Sequence, residues 1–228
     1  MTTVDATADE SGRSSTIAQE AAAPPAAVVG PMAGDPAMLG LGSFIVGSVS
    51  LGLALVGVVP AGVLGAPLAV ILAATALGLL MATVWCAALG QSAVAAVFGI
   101  FGTFWLSYAV LVLGLDHNWF AITPTAILAT VKLFLIAWLV VVVMLTLATL
   151  RLPSAFSVLF ALVALALLLL LLAYAGASAA GVPSSGLIKV AGYVVLLFAA
   201  LGVYLFFGAA SAGTGGKALP LGHPFLRG

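Results

Sequence analysis

Residues 35–47 read DPAMLGLGSFIVG, and they mark the boundary between a polar N-terminal segment and the first long apolar run. Of the 228 residues, 64% are hydrophobic and only 5% are charged. So little polar surface cannot solvate a globule of this size. The composition therefore predicts an integral membrane protein.

Six apolar stretches are long enough to cross the bilayer core, which takes about 20 helical residues. Breaks at Pro, Gly and polar clusters set their limits. The predicted spans are residues 39–59, 67–89, 93–113, 124–150, 155–174 and 187–207. Each run is much longer than a membrane strand, so the prediction is an all-α bundle of six transmembrane helices.

This membrane domain, residues 35–210, is expected to lie between two polar ends. Residues 1–34 are rich in Ala, Ser, Thr and Pro and contain more carboxylates than basic groups, which is typical of a disordered acidic tail. Residues 211–228 are predicted to form a short C-terminal tail. The N-terminal segment lacks the basic start and apolar core of a cleaved signal peptide.

The basic residues divide unequally between the two sides of the predicted bundle. One side carries Arg13, Arg151, Lys217 and Arg227, whereas the loops on the other side contain no Lys or Arg. The positive-inside rule then places both termini in the cytoplasm of a multi-pass plasma-membrane protein. Lys132, near the outer end of the fourth span, is expected either to snorkel to the interface or to attract anions to an outer vestibule.

Several functional classes find no support in the sequence. His117 and His223 fall outside the predicted spans, which contain no carboxylate, so the pattern predicts neither an enzyme nor a metal site. No motif indicates a cofactor. The net charge is zero and no basic patch is present, which argues against nucleic-acid binding.

Three segments together resemble a known family. DPAMLGLGSF resembles the Asn-Pro-Ala-Pro-Leu-Gly-Leu signature that opens the first helix of the acetate uptake transporter family, which includes the bacterial succinate-acetate permeases. FGTFWLSYA is similar to that family's Tyr-Gly-x-Phe-Trp-Leu-Ser segment in helix three, and GKALPLG resembles its closing Gly-Arg-x-x-Leu-Pro-x-Gly. The segments occur in the family's order, with six spans in the same arrangement.

The resemblance implies a transporter or channel for small monocarboxylates, with acetate the usual substrate, succinate a frequent second one, and proton coupling commonly proposed. It also implies a homohexameric ring in the lipid bilayer. Two other interpretations stay open. One is a non-transporting membrane scaffold or sensor that docks partners through its acidic tail, and the other is a water or ammonia channel.

The first motif is expected to shape a substrate entrance. Pro36 suits the first turn of a helix, whose free amide groups can meet a carboxylate. In the alternative interpretation, Asp35 and Pro36 only cap and start the helix. Asp35 stands where the family has Asn, and Met38 stands where it has a second Pro. The predicted entrance residues are Asp35, Pro36, Leu39, Gly40 and Leu41.

The resemblance also implies an apolar constriction, because apolar side chains can close a narrow pore both by size and by dewetting. Phe44 and Phe101 match the family's positions, although Phe101 stands where the family has Tyr. The third member, from helix five, is Leu162 or Val163, since the surrounding run of Leu, Val and Ala leaves the register open.

Polar and aromatic residues of the helix-three motif complete the predicted site. Thr103 and Ser107 are four residues apart and share a helix face, so they are expected to line the path unless they bond to their own backbone or to a neighbouring helix. Phe104 and Trp105 are expected to pack between helices, with the indole donor of Trp105 satisfied there. Cys86 stands where the family has an acid, so coupling through that carboxylate is not expected.

Small residues one turn apart on the first span permit close approach of another helix. The pairs are Ser43 with Gly47 and Ser48 with Gly52. They are a weak indication of contacts between protomers.

Overall fold

The computed structural model describes residues 34–60 and 65–226. Six of its helices are long and apolar enough to span a membrane, which confirms the predicted all-α fold. Short 3-10 turns, Pro124–Ala126 and Thr149–Arg151, flank the fourth helix. The six helices are α1 (Pro36–Val56), α2 (Leu68–Ala88), α3 (Ser92–Asp116), α4 (Ile127–Ala148), α5 (Ser154–Ala175) and α6 (Ser185–Gly213).

Of the two predicted tails, the structure describes most of the C-terminal one and a single residue of the N-terminal one. Apart from Gly34, the expected N-terminal tail of residues 1–34 lies outside them. On the C-terminal side, α6 runs on to Gly213, so the first residues of the expected tail at 211–228 are helical.

Local sequence explains where α1 begins and ends. The side chain of Asp35 accepts a hydrogen bond from the amide of Ala37 at 2.8 Å, and Pro36 occupies the first helical position. Gly57 ends the helix in the left-handed conformation, with φ 92°, which glycine adopts without steric strain. Asp35 therefore acts as the N-cap of α1 and Pro36 starts the helix, as these residue types do in water-soluble proteins.

The chain closes on itself because its last helix packs along its first. α6 contacts α1 and α5, α1 also contacts α2, and the chain neighbours α2 with α3 and α4 with α5 pack as pairs. Between α3 and α4, aromatic rings make the contact, with Phe104 and Tyr108 facing Phe134 and Trp138.

The small residues of α1 make contacts inside the protomer. A Cβ atom added at Gly47 would collide with Thr75 of α2, and one added at Gly52 would lie 2.7 Å from Leu196 of α6. A Cβ atom added at Gly78 of α2 would collide with the side chain of Ser43, so this glycine allows α2 to approach α1 closely. The structure thus assigns this face to helix packing within one chain, rather than to the contacts between protomers that the spacing suggested.

Within α2, residues Ile71–Ala76 form a π-helical segment that the sequence did not predict. Such widened turns occur inside α-helices and often accompany functional sites. Thr75 lies in this segment, is fully buried, and has a hydroxyl without a partner among the described residues. The wide turn therefore brings a polar side chain against α1.

Residues 217–226, here called the C-terminal strap, lie across one end of the bundle. The hydroxyl of Tyr204 in α6 donates to the carbonyl of Pro220 at 2.7 Å. The amide of Ala155 in α5 donates to the carbonyl of Leu221. The amide of Leu226 donates to the carbonyl of Leu150. The GKALPLG motif thus ties α6 to the α4–α5 turn.

Candidate functional site

A small apolar cavity lies between α1, α3, α5 and α6. Its volume is about 30 Å³, which is room for about two water molecules. The wall is built from aliphatic and aromatic side chains of these four helices. They are Phe44 and Leu51; Phe101, Phe104 and Trp105; Val163, Ala166, Leu167 and Leu170; and Val195 and Phe198.

Four phenylalanine rings from four helices stand at the centre of this arrangement. Phe44 meets Phe101 edge to face, with ring centroids 5.5 Å apart, and also contacts Phe198 at 5.7 Å. Phe101 stacks on Phe160 of α5 at 5.6 Å. Phe44 is 5% exposed and Phe101 is 3% exposed. Aromatic pairs at these separations attract one another beyond their burial, so the four rings stabilise the contacts between these helices beside the cavity.

The structure brings most of the expected constriction together. Phe44, Phe101 and Val163 all line the cavity, whereas Leu162 is half-buried and does not. Of the two candidates from helix five, Val163 is therefore the one that lines the cavity. Phe104 and Trp105, which were expected to serve helix packing, line the same cavity.

Sequence reasoning missed two rings of the cluster, Phe160 and Phe198. Both lie in uniformly apolar spans, where a single Phe carries no periodic or motif signal. Phe198 is one turn from Val195, which also lines the cavity. In a run where nearly every residue is apolar, this helical spacing does not stand out from any other spacing.

The two hydroxyls predicted to line the path lie elsewhere. Thr103 is exposed on the surface of the protomer, and its hydroxyl donates to the carbonyls of Gly99 and Ile100 in its own helix. Ser107 is half-buried and donates to the carbonyl of Phe104. Backbone bonding of this kind satisfies a hydroxyl in lipid, and neither residue lines the cavity.

The predicted entrance residues surround the start of α1. Pro36 and Gly40 are buried, Leu39 and Leu41 are half-buried, and Asp35 is exposed. A Cβ atom at Gly40 would collide with the ring of Phe98, so that glycine serves the contact between α1 and α3. The Asp35 carboxylate already accepts from one of the amide donors that a substrate carboxylate would use.

Trp105 departs from its expected role in one respect. It is 2% exposed, and its indole Nε1 has no hydrogen-bond partner among the described residues. Leaving such a donor unpaired costs about 1–3 kcal/mol. The indole donor that packing was expected to satisfy is therefore unsatisfied, in a residue that lines the cavity.

Tyr108 of α3 and Lys132 of α4 lie toward the loop that joins these two helices. Tyr108 follows Trp105 by one helical turn and contacts its ring at 6.4 Å. Lys132, in the second turn of α4, is half-buried and forms no ion pair with any other described residue.

Comparisons with known proteins give two findings. The sequence profile of the GPR1/FUN34/yaaH family matches residues 19–215. The fold is similar to that in "Structure of the bacterial acetate channel SatP", with a TM-score of 0.69 and 23% sequence identity, covering 82% of this chain and 98% of that chain. Among curated proteins, no sequence matches this chain significantly.

Proposed function

Because this chain belongs to the GPR1/FUN34/yaaH family, we propose that it conducts small monocarboxylates, acetate foremost and succinate second, across the membrane. The observation that carries the proposal is the apolar cavity lined by aromatic rings and aliphatic side chains of α1, α3, α5 and α6. A bacterial acetate channel with the same fold supports the choice of substrate.

The cavity suits selection by size and polarity. It holds about two waters, so acetate, with four heavy atoms, requires Phe44, Phe101 and Phe198 to move apart. An apolar wall dewets readily, so it disfavours larger and more strongly hydrated ions, and it carries no fixed charge that would hold a small carboxylate in place. The apolar and aromatic side chains of the cavity wall support transport of the permeant without a covalent step.

We also propose that both termini face the cytoplasm and that the protein resides in the plasma membrane. Met38 at the start of α1 contacts Gly213 at the end of α6, and the C-terminal strap binds the α4–α5 turn, so these segments share one side. That side carries Arg151 and Lys217, and the positive-inside rule favours it as cytoplasmic.

The assembly that we propose is a ring of six protomers with a path in each. The family resemblance supports it, and α2 and α4 leave apolar residues on the outside of the protomer that can pack against copies or lipid. Examples are Met81 and Val84 of α2, and Leu133 and Val140 of α4. The acidic tail of residues 1–34 is proposed as a separate cytoplasmic segment that conduction does not require.

The direct test is uptake of labelled acetate into proteoliposomes with and without an imposed proton gradient. We expect saturable or channel-like uptake that succinate and formate reduce and ammonium does not. Removal of residues 1–33 is expected to leave uptake unchanged. Absence of acetate flux in folded, correctly inserted protein would contradict the proposal and favour a scaffold, and selective ammonium or water flux would favour that class of channel.

A single substitution tests the constriction. Phe44→Leu shortens one wall of the cavity, so we expect the flux of propionate relative to acetate to rise about tenfold, the discrimination that one methylene gives in an apolar pocket. Phe207→Leu is the matched control, since Phe207 lies on the outer surface of α6. An unchanged propionate to acetate ratio in Phe44→Leu would contradict the role of Phe44.

A further inference from the structure

The loop between α3 and α4 carries two adjacent aromatic side chains that the protomer leaves uncovered. Residues 117–123 form this segment, here called the α3–α4 loop. Within it, Trp119 is 57% exposed and Phe120 is 54% exposed. Side chains of this size lose most of their hydrophobic stabilisation when they stay in water. Two of them side by side in a short loop therefore indicate a surface that meets something other than water.

Hydrogen bonds fold the α3–α4 loop back along the end of α3. The amide of Trp119 donates to the carbonyl of Gly114 at 2.9 Å, and the amide of His117 donates to that of Leu113. The ring Nδ1 of His117 also donates to the Leu113 carbonyl, at 3.0 Å, and this ring lies 5.8 Å from the ring of Trp119. A Cβ atom added at Gly114 would collide with the ring of Phe120. Both aromatic side chains are therefore held beside the last turn of α3.

Two residues in the left-handed region allow the loop to fold back. Asn118 has a φ of 53° and Ala121 has a φ of 51°. Asparagine adopts this conformation readily, whereas alanine does so at a steric cost. Such a conformation persists where surrounding contacts fix it. The backbone at Ala121 is thus strained directly after the two exposed aromatic residues.

The length of α3 sets the depth of these rings in the bilayer. Its 25 residues extend about 37 Å, several ångströms more than a bilayer core of roughly 30 Å. Asp116, the last residue of α3, therefore reaches into the headgroup region. Gly114 lies about 3 Å below Asp116 along the helix axis. Because the loop folds back to Gly114, Trp119 and Phe120 return to the boundary between headgroups and acyl chains.

Polarity along the loop matches this boundary. Residues 116–118, with the sequence Asp-His-Asn, are exposed at the end of α3, and the aromatic pair follows them. The lipid-facing surface of the helices continues up to the loop, since Val110 of α3 and Ile127 of α4 are each 37% exposed. The charged and amide groups thus suit water, and the aromatic pair extends the apolar surface that lipid covers.

We propose that the α3–α4 loop is an interfacial anchor, in which Trp119 and Phe120 insert between the phospholipid headgroups and the first carbons of the acyl chains. The indole of Trp119 suits this region because its ring is apolar and its N–H can donate to a phosphate or ester oxygen. Phe120 adds apolar area. The anchor fixes the depth of α3, the helix that carries Phe101 of the cavity wall. It acts whichever solute the protein conducts.

Depth-dependent fluorescence quenching tests the anchor in the full chain, reconstituted into phosphatidylcholine vesicles. The Trp119 signal is the difference in emission between the wild type and Trp119→Phe, which keeps an aromatic ring at an exposed position. We expect phosphatidylcholine brominated near the headgroup to remove most of this signal. Lipid brominated at the chain end and aqueous acrylamide should remove little of it. Trp105, which is 2% exposed, gives the buried reference through Trp105→Phe.

Two results would overturn the anchor. Strong quenching of the Trp119 signal by acrylamide, with little by either lipid, would show that the side chain projects into water. Protection from acrylamide and from both brominated lipids would show that protein covers it, and would favour a second copy of the chain as the partner of the loop.

A matched pair of variants at Ala121 tests whether the folded-back backbone positions the anchor. Glycine adopts a positive φ without strain, so Ala121→Gly should leave the quenching profile of Trp119 unchanged. Valine is β-branched and strongly disfavoured at a positive φ, so Ala121→Val should open the loop. Quenching of Trp119 should then shift from the brominated lipid to acrylamide. Equal profiles in the two variants would contradict the role given to the loop conformation.

Discussion

At the scale of single residues, two buried hydroxyls show how differently the same group can act in this bundle. The hydroxyl of Ser157 in α5 donates to the carbonyl of Thr149 at 2.6 Å and so joins the helix to the turn before it. The hydroxyl of Thr75 in α2 is fully buried and has no partner in the described part of the chain. One therefore contributes a hydrogen bond, and the other carries an uncompensated desolvation cost.

These two residues predict opposite effects on stability. Thr75→Val replaces the hydroxyl by a methyl group of similar size, so we expect thermal stability to stay the same or rise. Ser157→Ala removes a made hydrogen bond and leaves the Thr149 carbonyl buried, so we expect a loss of about 1 kcal/mol. Thermal unfolding in one detergent, followed by circular dichroism, compares the two. A clear loss of stability in Thr75→Val would show that its hydroxyl has a partner.

At this scale, motif context decided which residues the sequence could place in the candidate site. Phe44 and Phe101 stood out because each lies in a distinctive string, and the structure puts both in the cavity wall. Val163 could not be separated from Leu162, since neighbouring positions in a run of Leu, Val and Ala differ little in polarity. The unpaired donor of Trp105 depends on what surrounds the indole, which no local pattern encodes.

At the scale of helices, glycines set how closely α1 approaches its neighbours. Gly40 lies against the ring of buried Phe98, where an added Cβ atom would collide. Gly42, two residues on, faces Phe206 of α6, and its Cβ would lie 3.5 Å from the ring, an ordinary contact. The two glycines belong to one motif but differ in the space beside them.

This difference makes a matched pair of variants. Gly40→Ala is expected to destabilise the protein by about 1–3 kcal/mol, the usual effect of overpacking a well-packed contact. Gly42→Ala is expected to be neutral or stabilising, since alanine favours a helix over glycine by about 1 kcal/mol. Melting temperatures of the two purified variants check this, and equal values for both would contradict the contact between α1 and α3.

The helices themselves were predictable because length and apolarity alone define a membrane span. The π-helical segment at Ile71–Ala76 was not, as its sequence contains no Pro or Gly to signal a disturbed turn. Its position follows from tertiary contacts, since Thr75 packs on Gly47 of α1. Contacts between helices were likewise not predictable. The small residues of α1 were expected to meet another protomer, but they pack against α2 and α6 of the same chain.

At the scale of the whole molecule, the C-terminal strap couples three helix ends. Tyr204→Phe removes the hydroxyl that donates to the Pro220 carbonyl, so we expect the strap to open more often. Losing about 1 kcal/mol corresponds to roughly fivefold faster amide exchange at Ala155 and Leu226. Hydrogen exchange with mass spectrometry measures it, with Tyr193→Phe as the control. Unchanged exchange would show that the strap is held without this bond.

The packing of α6 along α1 has a consequence for biosynthesis. α1 leaves the ribosome before α6, and the part of α1 that α6 covers stays uncovered until α6 has been made, because Gly192 lies against Leu55 and Gly202 against Phe44. At roughly 5–20 residues per second, translation of the intervening chain takes on the order of ten seconds. Through that interval the nascent protein exposes this part of α1 to lipid or to insertion factors, and it becomes conductive only after translation reaches α6.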